Sequence, residues 1–127
     1  MSLRPTIVAA TAVAEDTHRG GSIRIVISPT TAGSTCGILG ICNMQPGEVM
    51  SPYVHDYGEE MLYVVRGAVT VVWEDGEEQV PHGNAILVPK GLTHSYRNDS
   101  EEELMCVFAA APLAPTMASG HRDVTTR

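Results

Sequence analysis

Gly83-Asn84-Ala85-Ile86-Leu87-Val88-Pro89-Lys90-Gly91-Leu92-Thr93-His94-Ser95-Tyr96-Arg97-Asn98 is the stretch that decides how this chain folds. It reads as a turn, a short apolar strand from Ala85 to Val88, a Pro-Lys-Gly-Leu corner and a second strand carrying His94 and Tyr96. Period-two alternation puts those two side chains on one face and Ser95 and Arg97 on the other. A histidine so placed is aimed across a sheet at a partner.

The partner lies upstream, in Pro46-Gly47-Glu48-Val49-Met50-Ser51-Pro52-Tyr53-Val54-His55-Asp56-Tyr57-Gly58-Glu59-Glu60-Met61-Leu62-Tyr63-Val64-Val65-Arg66-Gly67. Tyr53 and His55 are two apart, so a strand projects both to one face, and Glu60 follows a turn at Gly58. Together the two stretches hold His55, Glu60, His94 and Tyr53. Two neutral imidazoles and a carboxylate suit Fe(II), Mn(II), Ni(II) or Zn(II) and leave positions open for substrate or water. Tyr53 admits three outcomes. It ligates as a phenolate; it stays protonated, as its ordinary pKa near ~10 favours, and acts as an acid or donor over a three-ligand metal; or the site binds no metal. Tyr96, Phe108 and Met44 are candidates for the lining of an apolar substrate pocket. His18, His82 and His121 lie outside both stretches and read as surface or turn residues.

The chain is 127 residues long, enough for one domain with a core of its own. Its 43% apolar and 18% charged content is that of an ordinary globular protein, so it needs no partner to fold. The net charge is −7 and the eight basic residues are scattered, which argues against a nucleic-acid partner. No apolar run reaches the ~20 residues that span a bilayer, so no membrane partner is expected. Ile7 to Ala14 is too short and too poor in leucine for a secretion signal, and we expect a cytoplasmic protein. Cys36, Cys42 and Cys106 form no C-x-x-C pair and sit in apolar contexts, so buried reduced thiols are expected.

Outside the two stretches, Ser22 to Ser28 alternates, with Ile23, Ile25 and Ile27 on one face, and Pro29 ends it. Cys36 to Met44 is an apolar run closed by Pro46-Gly47. Val69, Val71 and Trp73 alternate up to Asp75-Gly76, a type I′ hairpin signal, and Glu77 to Val80 returns. Leu104 to Ala110 is the last strand before Pro112 and Pro115. About eight short strands with Gly, Pro and Asp turns, and no helical period, argue an all-β sandwich or barrel. The division expected is an N-terminal arm over residues 1–21, a barrel over 22–111 and a tail over 112–127.

Gly83, five residues, Pro89, one, Gly91, two, His94, three, Asn98 resembles the second motif of the cupin family over its whole length. Gly47, five residues, Tyr53-x-His55, four, Glu60, six, Gly67 is similar to the first, with Tyr53 where the family carries a histidine. The resemblance implies a single-domain cupin double-stranded β-helix, a jelly-roll barrel with the motif residues in its mouth. It also implies a divalent metal on His55, Glu60 and His94, with Glu60 rather than Glu59 as the carboxylate. Cupins commonly dimerise, and the spare tail is the segment we expect against a second subunit, making a homodimer.

A closer resemblance runs from His18-Arg19-Gly20-Gly21-Ser22-Ile23-Arg24 and Ser28-Pro29 through Glu59-Glu60-Met61-Leu62-Tyr63-Val64-Val65-Arg66-Gly67 to Ala111-Pro112-Leu113-Ala114-Pro115 and Gly120-His121. It is to the small cupins of aromatic (type II) polyketide biosynthesis clusters, of the tetracenomycin and spore-pigment cyclase type. That likeness implies aldol-type ring closure of a poly-β-keto substrate, with Tyr53 as the catalytic donor to the carbonyl that becomes an alkoxide. Two other readings stand beside it: an oxygenase of the quercetinase kind, and a non-catalytic binder of a small ligand.

Overall fold

A computed structural model describes residues 3–124; the first two residues of the expected arm and the last three of the expected tail lie outside it. Among the described residues, ten strands form two five-stranded antiparallel sheets. One sheet runs β1 (Ser22–Ile27), β2 (Ile38–Met44), β9 (Leu104–Ala111), β4 (Glu59–Arg66) and β7 (Ala85–Val88) in spatial order. The other runs β10 (Arg122–Asp123), β3 (Tyr53–Val54), β8 (His94–Arg97), β5 (Ala68–Trp73) and β6 (Gly76–Pro81). The expected all-β jelly roll is what forms. The strand expected to carry Tyr53 and His55 is the two-residue β3, which ends at Val54, and β10, which was not expected, is too short for a periodic pattern to register.

Alternation along β4 positions the site. Glu60, Leu62 and Val64 turn inward while Glu59, Met61, Tyr63 and Val65 face out. The apolar members of the inner row join Met44, Val69, Leu104 and Cys106 in a core between the sheets. In β1 the alternation breaks: the register slips between Ile25 and Ile27, and Val26 becomes the buried residue. An extra residue in one strand of a pair reverses which face is buried beyond it.

Four motif glycines carry the positive φ that side chains resist, Gly47 at 86°, Gly67 at 81°, Gly83 at 86° and Gly91 at 88°. Asn98 closes the second motif as a buried brace. Its amide donates to the Met44 and Glu102 carbonyls at 3.0 and 2.9 Å, and its Oδ1 accepts from the Ser100 amide and hydroxyl.

Four expectations need correction. Trp73 pairs with Gly76, so the hairpin loop is Glu74-Asp75, and neither residue has the positive φ that a type I′ turn demands. Pro29 does not merely stop β1; it opens a one-turn helix, α1 (Pro29–Ala32), capped by Ser28, whose side chain accepts from the Thr31 amide. Cys36 is exposed, because the run from Cys36 becomes strand only at Ile38; Cys42 and Cys106 are the buried thiols, and burial pushes both up to about 12. The tail folds back on its own barrel: β10 pairs with β3, and the Val124 amide donates to the Pro52 carbonyl at 3.0 Å. The edge of β3, unpaired without it, supplies the hydrogen-bonding partners.

Candidate metal centre and its cavity

Strand pairing assembles the site. Tyr53 on β3 lies opposite His94 on β8, and Glu60 on β4 faces them from the other sheet. Gly58 lets the chain cross between β3 and β4, since a Cβ there would sit 2.7 and 2.8 Å from the carbonyl oxygens of Pro112 and Ala111. The donor atoms of His55, Glu60 and His94 lie within 4.8 Å of one another, and all three residues are buried.

Glu60 is the hub. Its Oε1 accepts from the Tyr53 hydroxyl at 2.8 Å and lies 2.9 Å from His55 Nε2, while its Oε2 accepts a short hydrogen bond from the Tyr96 hydroxyl. His94 Nε2 stands 3.6 Å from Oε1, buried and without a hydrogen-bond partner. Both imidazoles are oriented from behind: His55 Nδ1 donates to the Gly120 carbonyl at 2.8 Å and His94 Nδ1 to the Leu92 carbonyl at 3.0 Å. A carbonyl can only accept, so each ring carries a proton on Nδ1 and presents Nε2 to the centre.

Two imidazole lone pairs and a carboxylate converging in a buried space call for a positive charge between them, either protons or a metal ion. The orphaned His94 Nε2 is the atom that protons on His55 leave unsatisfied. The donor set therefore fits a divalent cation held by His55 Nε2, His94 Nε2 and the Glu60 carboxylate.

The titrations follow. Burial works to raise the Glu60 carboxyl, but hydrogen bonding from His55, the approach of His94 and the Tyr96 hydroxyl outweigh it and hold the group well below the usual carboxylate range. Burial and then the Glu60 charge push the Tyr53 phenol well above 10, and the same two causes act on Tyr96. For His55, burial acts downward, yet the bonds to Glu60 and to the Gly120 carbonyl leave its pKa raised. Tyr53 is thus a protonated donor to Glu60 here.

Beside this cluster opens a cavity of about 520 Å³, within the range of small-molecule sites. Tyr53, His55 and Glu60 form part of its wall, and Ile23, Ile25, Ile38, Phe108, Leu113 and Met117 make much of the rest apolar. Of the three expected lining residues, Phe108 borders it. Met44 and Tyr96 do not: Met44 is packed in the core, 1% exposed, and Tyr96 lies behind Glu60. Their strand positions face between the sheets, but the cavity opens toward β1 and the tail.

Among the wall residues that were not expected are His121 and Arg19. His121, read as a surface or turn residue, is half-buried beside Tyr53, with ring centroids 6.1 Å apart. Burial, and then the charge of Arg19, lowers its pKa. Arg19, in the N-terminal arm, is 7% exposed with its guanidinium carbon 4.8 Å from the Tyr53 ring centroid. The available signal was Gly20-Gly21 beside Arg19, since φ of 102° and 74° marks a tight reversal that presses the arm onto the barrel.

Residues 40–110 match the Cupin domain family. The chain belongs to the cupin family. As a cupin it has relatives along most of its length. It is 40% identical over 117 residues to Protein SchB of Streptomyces halstedii, spanning 92% of this chain and 85% of that protein. It is 31% identical over 116 residues to the tetracenomycin polyketide synthase protein TcmJ of Streptomyces glaucescens, spanning 91% of this chain and 78% of that one. Among solved structures, the polyketide cyclase RemF from Streptomyces resistomycificus superposes with a TM-score of 0.75 at 21% identity, covering 98% of this chain and 88% of that chain. The closer likeness drawn from the chain's own residues, to small cupins of polyketide biosynthesis, is thus met by relatives of matching length.

Proposed function

We propose that this cupin is a polyketide cyclase that closes a ring in a poly-β-keto chain by a metal-assisted aldol-type step. The observation that carries the reading is the convergence of His55, Glu60 and His94 on one wall of a mainly apolar cavity, with a phenol donor beside them. The names of TcmJ and RemF support the substrate class.

His55, His94 and Glu60 would hold the ion, and Tyr53 stays outside the ligand set as a donor. A bound divalent metal supplies a Lewis acid that polarises a carbonyl and stabilises enolate charge. Everything else falls to the chain. The apolar walls exclude water and fold the substrate so that its methylene carbon meets its carbonyl, which replaces an encounter by a held geometry. Tyr53, one hydrogen bond from Glu60, turns its hydroxyl to the carbonyl oxygen that becomes an alkoxide. One carbon–carbon bond forms, the α-carbon loses a proton and the acceptor oxygen gains one. No electrons leave the substrate, so no oxidant is consumed.

The test is to purify the protein without a histidine tag, measure its metal, and give it a synthetic poly-β-keto thioester mimic. Ring-closed product without oxygen uptake, lost in Tyr53→Phe and His94→Ala, is the expected result. Oxygen consumed in step with substrate would replace the cyclase by an oxygenase, and binding without turnover would leave a small-ligand carrier. The proposal extends to a homodimer in the cytoplasm. With the tail engaged on its own barrel, exposed Met61, Tyr63, Val65 and Leu87 offer apolar surface for a second subunit, and a monomeric mass in solution would remove that part.

A further inference from the structure

The mechanism above leaves one buried charge without a task. Arg19 comes from the arm ahead of β1, its side chain 6% exposed, and it borders the cavity. Arg24, by contrast, donates to the Val13 carbonyl, and Arg97 and Arg122 spend their guanidinium groups on carboxylates at the surface. Arg19 does neither. Its terminal nitrogen donates to His121 Nε2 in a short hydrogen bond; a guanidinium has only donors, so that imidazole accepts and is neutral. Its Nε is buried with no hydrogen-bond partner among the described residues.

The nearby carboxylates do not hydrogen-bond to it, and its one ion pair is long. Asp123 Oδ1 stands 3.6 Å away on a largely exposed side chain, beyond hydrogen-bond distance. Asp16, also in the cavity wall, gives its carboxylate to the amide and ring of His18, at 3.1 and 2.7 Å. Glu60 is taken by Tyr53, Tyr96 and His55. A buried guanidinium bonded to a neutral ring, with an unused donor, is an unfavourable arrangement unless something anionic completes it. Its guanidinium carbon stands 4.8 Å from the ring centroid of Tyr53, whose hydroxyl is the proposed proton donor.

We propose that Arg19, steadied by His121, is the anion-binding residue of this cavity, and that its ligand carries one negative charge shared by two oxygen atoms. That chemistry has two sources in a poly-β-keto substrate, a terminal carboxylate and the enolate of a 1,3-diketone. The assignment deepens the cyclase reading and rests on it for the substrate class. Tyr53 lies between the anion site and the His55–Glu60–His94 cluster, so an anion on Arg19 fixes which stretch of the chain reaches the phenol.

Binding tests this apart from turnover. Titration calorimetry on the purified protein compares hexanoate with hexanamide, and benzoylacetone with the monoketone 4-phenylbutan-2-one. Arg19→Gln and Arg19→Lys are run beside it at matched metal content. The wild-type protein is expected to bind at least one acidic probe about tenfold or more tightly than its neutral counterpart, with the preference lost in Arg19→Gln and partly kept in Arg19→Lys. Preference for hexanoate assigns the carboxylate, and preference for benzoylacetone assigns the diketone enolate. Equal binding of acidic and neutral probes by the wild type would overturn the proposal without any variant having to fold. So would a preference that survives in Arg19→Gln, since the metal cluster would then be its source. Anion preference through Arg19 in a protein that closes no ring would sink the cyclase reading alone. Ring closure without such preference would sink the Arg19 assignment alone.

Discussion

The two sides of Tyr53 are built differently. On one side Glu60 and His94 come from β4 and β8 and His55 follows directly on β3, and each side chain is braced by hydrogen bonds from behind or around it. On the other, Arg19 and His121 come from the arm and the tail, segments held by a two-residue strand, a pair of glycines and surface ion pairs. A site of fixed geometry sits on the rigid part of the fold, and the side that meets a variable ligand sits on chain added outside it. Glu60 is central to the first side alone.

Removing that centre should have the largest effect. Glu60→Ala leaves two tyrosine hydroxyls and two imidazoles facing an empty, buried space, and we expect a loss of about 3–5 kcal/mol in urea unfolding together with loss of bound metal. A loss comparable to that of Arg19→Gln would erase the contrast between the two sides.

Acid should remove part of the same contribution. The Glu60 carboxyl is depressed in the folded protein, so the unfolded chain takes up protons first. The stability it contributes is complete above its ordinary value of 4.5 and drains as pH falls toward the folded value. His55 is shifted the other way, so its contribution is complete below 6.5 and fades as pH rises past that point. Metal-stripped protein should therefore be most stable between these two values, as urea midpoints across pH 3 to 9 would show. A profile unchanged in Glu60→Gln would break the assignment.

Gly20→Ala probes the other side. Its φ of 102° resists a side chain, and a Cβ there would lie 2.1 Å from the Val49 carbonyl oxygen, so the arm must move and carry Arg19 with it. We expect a loss of about 1–3 kcal/mol from the strained backbone, with anion preference lost and metal content kept. Metal lost as well would mean that the two sides are one unit.

Arg122→Ala should do least. Its bond with Asp56 is an exposed ion pair that holds tail to barrel, and such pairs contribute little. The melting temperature should not shift measurably; a marked fall would show the tail to be a structural strap.

Much of the first side was legible in the chain itself. The alternation that pairs His94 with Tyr96 and buries Glu60 instead of Glu59 is a property of any strand, and Gly67, Gly83 and Gly91 mark turns that only glycine makes easily. Those signals are local, a few residues long, and survive without knowledge of what packs on them. The second side left only the Gly20-Gly21 pair as a trace. Arg19 and His121 are 102 positions apart and meet only because the tail pairs with β3. The neutral state of His121, the protonated Tyr53 and the orphaned His94 Nε2 are likewise consequences of which groups meet in a buried space. Backbone geometry repeats every two residues and can be read along a chain; desolvation and charge pairing depend on distances that exist only once the sheets have closed.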